Sequence, residues 1–124
     1  MIRLNLNENQ PVFAQIMEMI ESDIITGAYQ SGDLIISTTQ ISKAYSVNPA
    51  TAVKAVGKLT DAGILHKDRG IGMRVAPGAR EKITERRKAV FFNQTIDALL
   101  AEAKRLSISV AEMVSIIQGR SDNK

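Results

Sequence analysis

Asn48, Thr51, Lys54 and Lys58 recur at steps of three and four residues, and Arg69 follows in a glycine-rich stretch. Amide, hydroxyl, ammonium and guanidinium groups at such spacing serve one chemistry well: hydrogen bonds to base edges and charge neutralisation of phosphates. Catalysis finds no comparable set. The chain has no cysteine and one histidine, His66, without a cysteine, acidic or second histidine partner at ligand-like spacing. It carries no G-x-S-x-G and no phosphate-cradling glycine loop with a lysine, and the triplet Gly70-Ile71-Gly72 is too short to be one. We therefore expect no enzyme, no catalytic residue, no metal site and no cofactor, and read His66 as a surface or wing-packing residue.

Two helices must position these groups. Ser37 with Gln40 three residues on forms a capping box, in which each side chain satisfies a free backbone N–H at a helix start. This predicts a helix from Thr38 to about Tyr45, with Ile41, Ala44 and Tyr45 inward and Thr38, Thr39 and Lys43 outward. Ser46 and Val47 make a tight turn. Asn48 then caps a second helix with Pro49 at its first position; Ala52, Ala55, Val56 and Leu59 mark its inner face and Gly63 its end. Two helices around so short a turn have helix-turn-helix spacing. The second is the expected recognition helix, with Asn48, Ala50, Thr51, Val53, Lys54 and Lys58 outward. Asn48 and Thr51 can bond bases or phosphates, Ala50 and Val53 can touch thymine methyls, and the lysines suit phosphates. Capping alone also accounts for Asn48, and both roles can coexist. Ser37, Thr38 and Thr39 are expected as further DNA contacts.

After Gly63, ILHKDRGIGMRV places two short apolar-containing segments around a glycine-rich tip, which reads as a β-hairpin, the wing. A basic tip with little side-chain bulk can enter or straddle a minor groove, so Arg69 and Gly70 join the expected contacts. Gly70 and Gly72 are equally explained by a turn that needs positive φ. Upstream, Ile2, Leu4 and Leu6 alternate with polar residues as in a short half-buried strand. Pro11 opens a helix with Val12, Phe13, Ile16, Ile20 and Ile24 at helical spacing, ended by Gly27, and GAYQSGDLI reads as a loop.

Charge is uneven. Residues 1–26 hold one arginine against four acidic residues, whereas residues 66–88 hold eight basic residues against three acidic ones. Such a stripe is a candidate polyanion footprint, although Arg86, Arg87 and Lys88 alone would read as a solvated face.

Pro77 and Gly78 break the chain, separating residues 1–77, a DNA-binding domain, from residues 78–124, a helical dimerisation segment. Residues 80–106 read as one long helix, or one bent near Asn93. A second S-x-x-E pair, Ser109 and Glu112, opens a last helix that ends at Gly119, leaving a frayed tail RSDNK. This segment is too short to form its own core, yet carries much apolar surface. Pairing with a second copy through Val90, Phe91, Ile96, Leu99, Leu100, Leu106, Met113 and Ile117 is the simplest solution; a helix folded back on its own domain is the alternative.

The length of 124 residues and 44% apolar content fit one compact core with an appendage. The absence of cysteine suits a reducing cytoplasm, and no stretch approaches the roughly 18 apolar residues of a membrane span.

Residues 10–75 resemble the DNA-binding domain of the GntR family of bacterial regulators, and the total length resembles its short YtrA-type branch. The segments that carry the resemblance are QPVFAQI, SGDLI with Ser37, SVNPATAVKAVGKL and GILHKDRGIGMRV. It implies a mainly α fold with a small β-hairpin: a winged helix-turn-helix followed by two short dimerising helices, with no large effector domain. It also implies repression of a nearby operon, often one for an ABC-type transporter. The chain departs from the family where a proline and, three residues later, a DNA-contacting arginine are usual; here stand Ile36 and Thr39. Lys54 replaces a frequent arginine, and Ala50 and Val53 replace polar residues. These departures imply an operator read with more methyl contact and more contribution from the wing, or bound less tightly. The expected function is a sequence-specific DNA-binding transcription regulator, a cytoplasmic homodimeric repressor of a pseudo-palindromic operator. The alternative is a winged-helix module that binds protein.

Overall fold

Pro11 stands immediately before helix α1 (Val12–Ile25), where its carbonyl accepts from the N–H groups of Ala14 and Gln15 at 3.1 and 3.2 Å. A proline there gives up no hydrogen bond, because the first N–H groups of a helix have no internal partner. The computed structural model describes residues 10–123, and the strand expected over Ile2, Leu4 and Leu6 lies outside them. Ile16, Met19, Ile20 and Ile24 form the buried face of α1.

Helix α2 (Thr38–Tyr45) begins at the expected capping box: Gln40 N–H donates to Ser37 Oγ at 3.1 Å, and Ser37 N–H donates to Gln40 Oε1 at 2.8 Å. Ile41 is buried and Tyr45 half-buried, but Ala44, expected inward, is exposed. Ile41 and Tyr45, four residues apart, set the core-facing line of this helix, and Ala44 lies about 100° round the axis from Tyr45 and outside it. Ser46 ends the helix in the left-handed region at φ 52°. There Val47 N–H donates to the Ser42 carbonyl at 3.1 Å, and Ser42 Oγ donates to the Val47 carbonyl at 2.7 Å. Helix α3 (Pro49–Asp61) follows, with Asn48 Oδ1 accepting from Ala50 N–H at 2.9 Å. At its end Gly63 takes φ +76°, and Ile64 N–H reaches back to the Leu59 carbonyl at 2.9 Å. This six-to-one closure needs a residue that tolerates positive φ, hence glycine.

Strands β1 (Leu65–Asp68) and β2 (Gly72–Val75) pair antiparallel, Leu65 opposite Val75 and Asp68 opposite Gly72. The stretch expected as a plain loop does more. Leu34 bridges to Arg74, Ile35 N–H donates to the Met73 carbonyl, and Val75 N–H donates to the Asp33 carbonyl, both at 2.9 Å. Residues 32–35 thus satisfy the outer edge of β2, which would otherwise be unpaired.

One core joins these elements: Ile16, Ile20 and Ile24 of α1, Ile41 of α2, Ala52, Ala55, Val56 and Leu59 of α3, and Ile64, Leu65 and Val75 at the wing base. Each fully buried Ile or Leu contributes about 1.5–3 kcal/mol, so the core fixes α3 against α1 and α2. Helix α4 (Ala79–Val90) begins in the same unit, with Ala79 and Ile83 at 1% and 0% exposure. Two compact units divide between Glu85 and Arg86, so the first extends past Pro77, where the sequence suggested a border.

In the second unit a π-helical turn, Phe91–Thr95, carries the chain from α4 into α5 (Ile96–Arg105). Of the two expectations for residues 80–106, one long helix or one bent near Asn93, the irregular turn at Phe91–Thr95 favours the second. At the end of α5, Ser107 adopts φ 57°, and Ile108 N–H donates to the Ala103 carbonyl at 2.8 Å. Helix α6 (Val110–Asp122) starts with Ser109 Oγ accepting from Glu112 N–H at 3.1 Å. It runs through Gly119, expected to stop it, and includes Arg120 and Ser121 of the expected frayed tail. An interior glycine costs only about 1 kcal/mol relative to alanine, which does not by itself end a helix.

Candidate nucleic-acid interface

Asn48, Ala50, Val53, Lys54 and Lys58 are exposed along α3, with Thr51 half-buried among them. The core fixes this face outward, because Ala52, Ala55, Val56 and Leu59 occupy the opposite side of the same helix. The Asn48 side chain is engaged as a cap, which leaves its amide NH2 group for other partners. At the start of α2, Ser37 and Thr39 are exposed and Thr38 is half-buried; the Ser37 hydroxyl is engaged as a cap.

A groove of about 540 Å³ runs between α3, the start of α2 and the wing. Ser37 and Thr38 border it on one side, Val53 and Val56 on another, and Lys67 and Ile71 on the wing side. Its rim is more apolar than the sequence suggested: Leu34, Val53 and Ile71 are 45%, 57% and 59% exposed. Large exposed side chains on a polar face mark a surface that meets a partner.

The wing tip is a tight turn closed by Ile71 N–H donating to the Asp68 carbonyl at 2.9 Å, with Gly70 at φ +77°. A side chain at Gly70 would be strained there. Arg69 is exposed beside it. Arg74, counted above in the basic stripe, is held inside the wing. Its Nε lies 2.7 Å from Asp68 Oδ2, and its Nη1 donates to the Gly32 carbonyl at 2.8 Å. His66 is exposed on β1, opposite Arg74 in the pairing register.

Two lysines of the recognition helix are also not free-standing. Lys54 Nζ lies 4.1 Å and Lys58 Nζ 5.6 Å from the centroid of the Phe13 ring in α1. Sequence reasoning placed Phe13 in the core pattern and missed this contact; its half-buried position, between core and surface, makes the contact possible. On α2, Tyr45 keeps its proton to higher pH than an ordinary tyrosine, through burial first and the nearby Asp23 and Tyr29 next.

The second unit supplies the residues expected for pairing of copies. Val90, Phe91, Leu99, Leu100, Leu106 and Ile117 are exposed, and Ile96 and Met113 half-buried. An apolar groove of about 280 Å³ lies among Leu99, Ala103, Leu106, Met113 and Ile117. No helix among the described residues is long and apolar enough to cross a membrane.

Known proteins share this architecture. The family model for bacterial regulatory proteins, gntR family, matches residues 13–75. The HTH-type transcriptional repressor YtrA of Bacillus subtilis is 25% identical over 129 residues, covering 99% of each chain. A GntR family transcriptional regulator from Listeria monocytogenes has the same fold, with a TM-score of 0.72 at 23% identity, over 92% of this chain and 98% of that one. The DNA-binding domain of AraR, solved in complex with operator ORE1, is 30% identical, with a TM-score of 0.53 over 59% of this chain and 89% of that one.

Proposed function

The chain belongs to the GntR family of bacterial regulatory proteins and is a DNA-binding transcription regulator, and we propose that it works as a homodimeric repressor on a pseudo-palindromic operator. In this reading the exposed face of α3 enters a major groove, and the wing, led by Arg69 and Gly70, lies along the flanking minor groove. The observation that supports it is the groove between α3, the start of α2 and the wing, which Ser37, Thr38, Val53 and Lys67 border, with Asn48, Lys54, Lys58 and Arg69 exposed on the same elements outside it. The operator-bound AraR domain, similar over this part of the chain, supports the same use.

Pairing of two copies through the second unit completes the reading. Leu106, Val110, Val114 and Ile117 are each more than half exposed in a single chain, and a segment this short has no further core to bury them. A second copy covers them and gives the two-fold symmetry that a palindrome matches. The protein then acts in the cytoplasm, where bacterial DNA lies.

Titration against genomic DNA fragments between 50 and 200 mM salt tests the proposal. A dimer that neutralises about 6–10 phosphates loses roughly 10³–10⁵ in affinity over that range. Sedimentation of the free protein should give twice the chain mass. Salt-insensitive binding, or a monomer that binds as tightly, overturns the reading.

A further inference from the structure

Lys54 and Lys58 lie one turn apart on α3 and share one neighbour, the ring of Phe13, at 4.1 and 5.6 Å from its centroid. Like charges four residues apart on a helix repel and would drive the two stems apart. A long flexible ammonium side chain also loses rotamer freedom when it meets a phosphate, which weakens each contact it makes. The negative face of an aromatic ring counters both effects by attracting cations and restricting their stems. Phe13 can do this because it is itself anchored: it is half-buried, packed against the core that joins α1 to α3.

We propose that Phe13 is a positioning residue for DNA, its ring holding the Lys54 and Lys58 ammonium groups together as a pre-ordered pair that meets the phosphate backbone. The inference rests on the DNA-facing reading of α3. Phe13 touches no nucleic acid in this account; it acts through the two lysines. Because the chain's charge is unchanged by replacing Phe13, a loss of phosphate binding that requires both lysines reports where their ammonium groups sit and not how many charges the chain carries.

A random-sequence DNA duplex is the probe, since phosphate contacts are independent of sequence. Affinity is measured as a function of salt for the full chain and for Phe13→Leu, Phe13→Tyr, and the double variant Lys54→Gln/Lys58→Gln with and without Phe13→Leu. Phe13→Leu should weaken binding by roughly 3- to 10-fold and flatten the salt dependence. Phe13→Tyr, which keeps the ring, should restore both. In the double-glutamine background Phe13→Leu should change nothing further. Wild-type affinity and salt slope for Phe13→Leu overturn the proposal, as does an equal loss in the double-glutamine background, which would mark a folding defect. If the double-glutamine variant itself binds like the wild type, the DNA-facing reading of these lysines fails first. Should Phe13→Leu not fold, the side-chain εCH2 proton resonances of Lys54 and Lys58 in the wild type decide. They should be shifted upfield by the ring and stay so when duplex is added, and a return to ordinary positions on binding overturns the proposal.

Discussion

Asp68 and Arg74 close the wing on itself: the guanidinium Nε sits 2.7 Å from the carboxylate, and Nη1 of the same group donates to the Gly32 carbonyl at 2.8 Å. One side chain thus ties β1, β2 and the edge segment over residues 32–35. Both partners are about one-third exposed, so water screens the pair and it contributes up to about 1 kcal/mol. Arg74→Gln should loosen the wing locally while leaving the helical core folded. Hydrogen exchange at the Ile71 amide, bonded across the wing turn, and at the Ile35 amide, bonded to the edge of β2, should speed up while the α1 amides stay protected. Unchanged exchange at Ile71 and Ile35 would show that the ion pair does not order the wing.

Arg69 offers the contrast. It is exposed at the tip, next to the turn glycine Gly70. Arg69→Ala should weaken DNA binding about equally across sequences and lower the slope of log affinity against log salt by about 1, the mark of one lost phosphate contact. Its melting temperature should match the wild type, since surface substitutions away from special contacts change stability by about 0.5 kcal/mol or less. A slope equal to wild type removes Arg69 from the interface.

The difference between these two arginines shows what a sequence can display. Arg69 and Arg74 look alike in the basic stripe, but the Gly32 carbonyl that holds Arg74 lies 42 residues away, beyond any local pattern. The helix-turn-helix was legible because its signals are local: Ser37 with Gln40, and Asn48, satisfy backbone N–H groups within a few residues, Pro49 gives none up, and Gly63 supplies the positive φ that closes the end of α3. The seating of Lys54 and Lys58 on Phe13 was illegible for the opposite reason. Periodicity assigns Phe13 to a core face, and only the packing of α1 on α3 turns its ring toward the lysines. Gly119 misled because a stop signal read from one residue outweighed the helix formers around it.

Leu106 and Ile117 border the apolar groove of the second unit and are 63% and 57% exposed in a single chain. A carboxylate placed where two copies meet would be buried without a partner, at a cost of several kcal/mol. Leu106→Glu and Ile117→Glu should each sediment as monomers, while the first unit keeps its melting transition. DNA affinity should then fall toward that of a single half-site. Either variant remaining dimeric would move the interface elsewhere.

Ser46 gives a test of the turn between α2 and the recognition helix. It sits at φ 52°, in the left-handed region that costs a residue with a Cβ roughly 1–2 kcal/mol. Glycine removes that cost but loses more backbone freedom on folding, about 0.5–1 kcal/mol. The first term exceeds the second, so Ser46→Gly should stabilise the protein by up to about 1 kcal/mol and raise its melting temperature by a few degrees. The turn's own bonds survive the change, because Val47 N–H to the Ser42 carbonyl and Ser42 Oγ to the Val47 carbonyl do not use the Ser46 side chain. Ser42→Ala, which removes the second of these, should destabilise by about 1 kcal/mol. Opposite signs for two neighbouring serines, read by thermal melting, separate backbone strain from side-chain hydrogen bonding in this turn. A loss of stability in Ser46→Gly would mean that the serine side chain stabilises the turn by more than its backbone strain costs.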